Sequence, residues 1–263
     1  NYYGQYGQYE IAFTTPLAKE SFRDHVRIEP LVVSEGYYLG NDDQNIFLNG
    51  YFRPEMEYTL TLEASLEDVW GGRLGRDLTY TFVTPSVEPS LRVGSGYTSF
   101  NLMFVPADGS EILLQATNIN TVTLDIAPIS INDLLTLVHP DNYEYRQVFL
   151  PDNLETTTEN LDLTRNVNQT VILPLTYQGE PLRPGVYFLG VTSADLLGDG
   201  TQTYQKYTLV VSQNNVVTKI APEQAFVWAS RLVDYSPVGR APVSVYNTEG
   251  DLLTEGETNS SGL

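Results

Sequence analysis

The sequence predicts an all-β chain of antiparallel β-sandwich domains in series, and three observations carry that prediction. Strand-favouring residues are plentiful: Tyr supplies 18 of the 263 residues, Thr and Val are frequent, and runs of Ala, Glu and Lys are scarce. Short segments alternate apolar and polar residues with period two, at a spacing of roughly 8–12 residues, with Gly and Pro between them. One signature is also written twice. "DVWGGRLGRDLTYTFV" begins at Asp68 and "DLLGDGTQTYQKYTLV" at Asp195; each sets Gly three residues after Asp (Gly71, Gly198) and starts Tyr-Thr twelve residues after it (Tyr80, Tyr207). A repeated plan of this kind marks consecutive copies of one supersecondary unit.

The first unit is expected over 9–86, after a Tyr/Gly/Gln-rich lead-in, 1–8. Strands are predicted at Tyr9–Phe13, around Val26 and Ile28, at Ile46–Leu48, through Tyr58, Leu60 and Leu62, and at "TYTFVTP", which Pro85 ends. Turn residues at Gly40–Asp43 precede the third of these. Pro54 stands before the fourth, where its missing N–H does no harm. "SLEDVWGGRL" is read as a short helical turn or loop.

After a linker, "SVEPS" at 86–90, a second unit is expected over 87–213. Ile112, Leu114 and Ala116 alternate on one strand, and Val122, Leu124 and Ile126 on the next. "INDLLTLV" (131–138) predicts a helix of about two turns with Asn132 as its cap. Residues 139–168 read as an irregular, exposed polar excursion. Strands resume at "QTVILPL", "GVYFLGV" and "QKYTLVVS". Arg183-Pro184 stands before Tyr187 as Arg53-Pro54 stands before Tyr58. The two copies therefore read as the last hairpin of each sandwich: Arg-Pro at the entry, an Asp-x-x-Gly turn, and a closing Tyr-Thr strand.

A third unit starts at about 214 and continues to 263. "QAFVWASRL" is expected to be a central strand, and "APVSVYNTEGDLLTEGET" a hairpin turning over 248–251. Roughly fifty residues do not close a sandwich alone, so the chain reads as an internal piece of a longer protein.

Little reactive chemistry stands out. The net charge of −19 disfavours nucleic acid and anionic lipid. The absence of Cys excludes disulfides, thiolate metal sites and a cysteine nucleophile. No apolar run reaches the roughly 18 residues of a membrane span. His25 and His139 have no third ligand at metal spacing and read as surface histidines. The oxygen-rich loops Asn41–Asn45 and Asp195–Gly200 lack the twelve-residue calcium pattern and read as turns. Gly94-Ser95-Gly96 reads as a loop, since Gly-x-Ser-x-Gly is absent. Glu67 and Asp68 are adjacent and point to different faces, unlike a convergent glycosidase pair. Asp68 and Asp195 are expected to accept backbone N–H bonds within their own turns. Tyr2, Tyr3, Tyr6 and Tyr9 invite a sugar-binding reading but better suit a low-order linker or a contact with a neighbouring domain. Trp70 and Trp228 are expected to anchor the core. Asn168-Gln169-Thr170 and Asn259-Ser260-Ser261 match a glycosylation sequon. No catalytic, cofactor-binding or metal residue is assigned.

"FVWASRLVDYSPVGRAPVSVYNTEGDLLTEGETNSSG" resembles a macroglobulin-type domain of the bacterial alpha-2-macroglobulins. The resemblance is carried by Pro237-Val238, Ala241-Pro242-Val243, Val245-Tyr246, Gly250, and Gly256-Glu257-Thr258-Asn259 ahead of Gly262. Asn259 stands where the family usually has Asp, and Tyr235-Ser236 where it has Gly-Lys. Residues 9–86, through "FRPEMEYTLTL", "LEDVWGGRL" and "YTFVTP", resemble the bacterial Ig-like domains that precede macroglobulin domains. Residues 87–213 are similar to a macroglobulin-type module. The resemblance implies tandem Ig-like and macroglobulin-type sandwiches. It also implies a non-catalytic N-terminal scaffold within a broad protease inhibitor whose bait and trapping parts lie elsewhere. Its partners would be neighbouring domains of the same chain and, through the whole protein, target proteases. The implied place is the bacterial periplasm or cell surface, with a lipid anchor upstream. Two other readings fit an Ig-like stack: a stalk of a surface adhesin or envelope protein, and an accessory region of a secreted carbohydrate enzyme.

Overall fold

A computed structural model describes residues 5–19, 22–94, 101–197, 203–221, 224–247 and 249–263. The chain divides into two compact units, one of Asn1–Glu88 with Thr164–Val167, the other of Pro89–Leu163 with Asn168–Leu263.

The first unit contains β1 (Gln5–Ala12), β2 (Val26–Glu29), β3 (Val33–Leu39), β4 (Asn45–Phe52), β5 (Glu57–Leu62) and β6 (Leu78–Val83). Two antiparallel sheets form, in the orders β1-β4-β3 and β2-β5-β6. The period-two pattern decides which side chains face inward. Ile46, Leu48 and Phe52 of β4 meet Val26 and Ile28 of β2 and Tyr58, Leu60 and Leu62 of β5. At one end an aromatic cluster closes the core: Phe52 meets Tyr9 and Tyr58 edge-on, and Tyr58 stacks with Phe82. Burial raises the pKa of Tyr9, with a further push from Tyr58. The strand expected at Tyr9 begins four residues earlier, and β4 runs well beyond Leu48.

The expected polar excursion over 139–168 is not irregular. It supplies a helix and a paired strand to the second unit, and its residues Thr164–Val167 belong to the first. There, Glu55 accepts from Arg165 Nε (2.9 Å) and Nη2 and from Asn166 Nδ2 (2.9 Å). Asn166 Oδ1 in turn accepts from Ser86 Oγ and the Val87 N–H. The bonds from Arg165 hold the Glu55 carboxyl below its usual range.

In the second unit come β7 (Ser90–Val93), β8 (Leu102–Pro106), β9 (Glu111–Thr117), β10 (Thr121–Pro128), α1 (Ile131–Val138), α2 (Tyr143–Val148), β11 (Glu155–Asn160) and β12 (Gln169–Pro174). The short pair β13 (Thr176–Tyr177) and β14 (Glu180–Pro181) leads to β15 (Gly185–Thr192) and β16 (Gln205–Ser212). A five-stranded sheet, β11-β10-β15-β16-β8, faces a three-stranded one, β12-β9-β7. Among the described strands, β16 and β8 pair in parallel and the other pairs are antiparallel. Ile112, Leu114, Val122, Leu124, Leu189 and Leu209 fill the space between the sheets and are almost fully buried. The run "GVYFLGV" is apolar throughout because both faces of β15 are covered. Phe188, on the side away from the core, packs edge-on against Phe149, just beyond α2.

The helix cap is Ser130, not Asn132. Ser130 Oγ accepts from the Asp133 N–H, and Asp133 returns a carboxylate to the Ser130 N–H, a closed capping box.

The second unit ends in two hairpins: β17 (Asn214–Ala221) with β18 (Gln224–Arg231), and β19 (Pro242–Tyr246) with β20 (Leu252–Glu257). The hairpin over 242–257 is as expected. The strand over 224–231 is not central: among the described strands it pairs with β17 in a two-stranded sheet. Thr258 ties the segment together, accepting from the Ala241 N–H and donating to Val238 O.

Both penultimate–last strand hairpins form as the repeat predicts, β5 with β6 and β15 with β16. Their entries match in a way the motif did not reveal. Tyr58 Oη accepts from the Arg53 N–H at 2.9 Å, and Tyr187 Oη donates to Arg183 O at 3.0 Å. Each is a tyrosine corner, a phenol bonded back to backbone a few residues upstream.

Neither tryptophan anchors the core as expected. Trp70 is 72% exposed on the Asp68 turn, and Trp228 is 37% exposed, its Nε1–H donating to Ser261 O. Replacing Trp70 with Ala is therefore expected to change unfolding free energy by no more than about 0.5 kcal/mol. Urea titration checks this, and a loss above about 2 kcal/mol would show that the indole is buried.

Candidate functional site

Of the residues singled out in the sequence, Tyr2, Tyr3, Ser95, Gly96, Gly198, Gly200, Thr248 and the Tyr6 side chain lie outside the described residues. The two histidines fall in different units. The His25 carbonyl accepts from the Glu63 N–H; His139 follows α1 as its C-cap, and its Nδ1 accepts from the Asp141 N–H at 3.2 Å.

In the 41–45 loop, Asp42 Oδ1 accepts from the Gln44 N–H and Asp43 pairs with Lys19 at 3.3 Å. Among the described residues, no group of three or more His, Cys, Asp or Glu is placed to hold a metal ion. Glu67 pairs with Arg73. Asp68 Oδ1 accepts from the Trp70 N–H (2.9 Å) and the Gly72 N–H (2.8 Å), closing its own turn as expected. At Gly72 a Cβ would stand 2.7 Å from Asp68 Oδ2, so a larger residue would have to displace the carboxylate that closes the turn. The turn carries β-bridges and no helix.

Asp195, the repeat partner of Asp68, reaches beyond its own turn. Its carboxylate reaches the turn between β9 and β10, accepting from the Asn120 N–H (2.6 Å), Asn120 Nδ2 (2.9 Å) and the Thr121 N–H (3.3 Å). Asp195 thus also serves a turn 75 residues away in sequence; residues 198–202 of its own turn, where the expected N–H donors would stand, lie outside the described residues. Burial opposes ionisation of Asp195, but these bonds outweigh it and hold the carboxyl below its usual range. The folded-state pKa is thus depressed. The resulting stability is present above the unfolded value of about 3.9 and is lost as pH falls through the folded value. We expect Asp195→Asn to remove that part of the acid dependence. Chemical denaturation from pH 6 to pH 2 tests it, and an unchanged slope would refute the assignment.

A cleft of about 550 Å³ lies between α2 and the outer face of β15 and β16. Two cations organise its walls. Arg146 Nη1 donates to the Leu137 and His139 carbonyls, ending α1. Lys206 Nζ donates to Gln147 O (2.5 Å) and Phe149 O (3.1 Å), ending α2. Cations at helix C-termini satisfy carbonyls that lack intrahelical partners. Beside them, Tyr204 Oη donates to Asp125 Oδ2 at 2.7 Å, and Thr156 Oγ1 donates to Asp125 Oδ1. Burial, then the bond to Asp125, raises the Tyr204 pKa; burial lowers that of Lys206. Sequence reasoning passed over this cleft because α2 lay in the stretch read as irregular.

No protein-family model matches the chain. An alpha-2-macroglobulin homolog of Nostoc sp. is 24% identical over 272 aligned residues, covering 95% of this chain and 14% of the relative. The chain thus spans about one seventh of the curated relative's length. A fragment of native alpha-2-macroglobulin from Escherichia coli, spanning domains MG0-NIE-MG1, is structurally similar (TM-score 0.55, 16% identity, 97% of this chain and 83% of that one). A Salmonella alpha-2-macroglobulin is similar over 97% of this chain and 16% of its own, with TM-score 0.70 and 17% identity. The sequence relative and the structural relatives agree with the family resemblance carried by the motifs, and the fold is the tandem β-sandwich expected.

Proposed function

Starting from this likeness to bacterial alpha-2-macroglobulins, we propose that the chain is an N-terminal scaffold of a broad protease inhibitor, non-catalytic in itself. Bait cleavage and trapping would be carried by other parts of a longer protein. The observation that supports this most is the match to the alpha-2-macroglobulin homolog over 95% of the chain within a small part of that relative. On this reading the chain holds three modules: an Ig-like sandwich over 9–86, a macroglobulin-type sandwich over 87–213, and the start of a further one over 214–263. The third assignment accounts for apolar side chains left in water on both closing hairpins, among them Ile220, Phe226 and Leu253. The next strands of a longer chain would cover them. The work would be done in the bacterial envelope, by spacing and docking neighbouring domains. Among the described residues, no helix is long and apolar enough to cross a membrane.

The test compares the 263-residue chain with the full-length protein against serine, cysteine and metalloproteases, using a large protein substrate. The full-length protein should block cleavage and the isolated chain should not. Inhibition by the isolated chain would overturn the scaffold role; failure of the full-length protein would overturn the inhibitor reading.

A further inference from the structure

We propose that the cleft between α2 and the β15–β16 face binds an organic carboxylate that carries an apolar group. Its volume, about 550 Å³, falls within the roughly 300–1,000 Å³ of small-molecule sites. Its charge is opposite to that of the molecule as a whole. The chain has 33 acidic and 14 basic residues, yet among the described residues Arg146 and Lys206 line the cleft and no Asp or Glu does. A concave site of one sign within low-dielectric walls concentrates ligands of the other.

The floor and the rim select different parts of the ligand. At the floor, two of the three donors of the Lys206 ammonium go to carbonyl oxygens. The third has no hydrogen-bond acceptor among the described residues. Burial also disfavours the charged ammonium, a cost that an incoming carboxylate would offset. At the rim, Tyr143, Val148 and Leu150 are 64%, 73% and 52% exposed. This apolar surface next to a cation suits an aryl or alkyl group joined to an acid. Two sources share that chemistry, a free carboxylic acid and an acidic side chain beside an apolar one in a peptide.

Calorimetric titration of the whole 263-residue chain at pH 7 tests the proposal, with phenylacetate, phenylacetamide and an acetylated, amidated Asp-Phe dipeptide as probes. At least one of the two acids should bind about tenfold or more tighter than the neutral amide. Stronger binding of phenylacetate points to a free acid, and stronger binding of the dipeptide to a polypeptide ligand. Lys206→Met should abolish binding. Because that change could also unfold α2, Val148→Asp provides a second arm: at this exposed position it puts a like charge at the rim without touching the core. Its thermal melt should match wild type while acid binding is lost. Equal binding of acid and amide, or no binding at ~10 mM, overturns the proposal. So does undiminished acid binding in a folded Val148→Asp protein.

Discussion

Replacing Tyr58 with Ala is expected to destabilise the first unit by about 3–5 kcal/mol, the range for deleting a buried aromatic ring. Tyr58 is 1% exposed and touches both Phe52 and Phe82. Its ring therefore joins β5 to β4 of the opposite sheet and to the neighbouring β6. Removal leaves a cavity that a core of two three-stranded sheets is poorly able to refill. Since small domains are stable by only about 5–15 kcal/mol, a large share of the folded population is at risk. Tyr58→Phe separates the ring from its hydroxyl. It keeps the packing and costs only the corner bond from the Arg53 N–H, about 0.5–1.5 kcal/mol, at the low end because Arg53 is exposed and water can replace the acceptor. Urea unfolding of both variants decides the matter. A loss below about 1 kcal/mol for Tyr58→Ala would contradict the aromatic junction described above.

Gly190→Ala is expected to cost the second unit about 2–4 kcal/mol, from steric overlap and from the broken bond to a charged acceptor. On propensity alone, Ala should improve a strand over Gly, so the direction comes from the surroundings. Gly190 lies between Asp125 of β10 and Lys206 of β16 in register. A Cβ there would stand 2.0 Å from Tyr204 Oη and 2.5 Å from its Cζ. The Tyr204 ring occupies the space a side chain would take, held by its bond to Asp125. The added methyl must push the ring away and break that bond. A double-mutant cycle isolates the effect: Gly190→Ala should be milder by at least about 1 kcal/mol in a Tyr204→Ala background. Additive losses would show that the ring is not what excludes the methyl.

Much of the fold was legible because its signal is local. Alternation of Ile112, Leu114 and Ala116, or of Tyr58, Leu60 and Leu62, fixes strand identity and inner face together. The Asp68 turn was readable for the same reason, since donor and acceptor lie within four residues. Misreadings occurred where a distant partner decided the outcome. The bond that Asp195 makes to the Asn120 turn was not readable, because its partner lies 75 residues away. Trp70 looked like an anchor by residue type, but hydrophobicity does not say whether a turn leans on a sheet or stands in water. The 139–168 stretch is polar because α2 and β11 each keep a solvent face, not because it lacks order.

By itself, the sequence determined the all-β class, the order of most strands, their inward faces and the repeated hairpin, each set by the two-residue period of extended backbone and by turn chemistry. Tertiary structure alone decided the parallel pairing of β16 with β8, the docking of α2 over β15, the Tyr204 ring laid over Gly190, and the cleft lined by Arg146 and Lys206. These depend on which surfaces meet across long stretches of chain, and periodicity specifies a face without specifying what covers it.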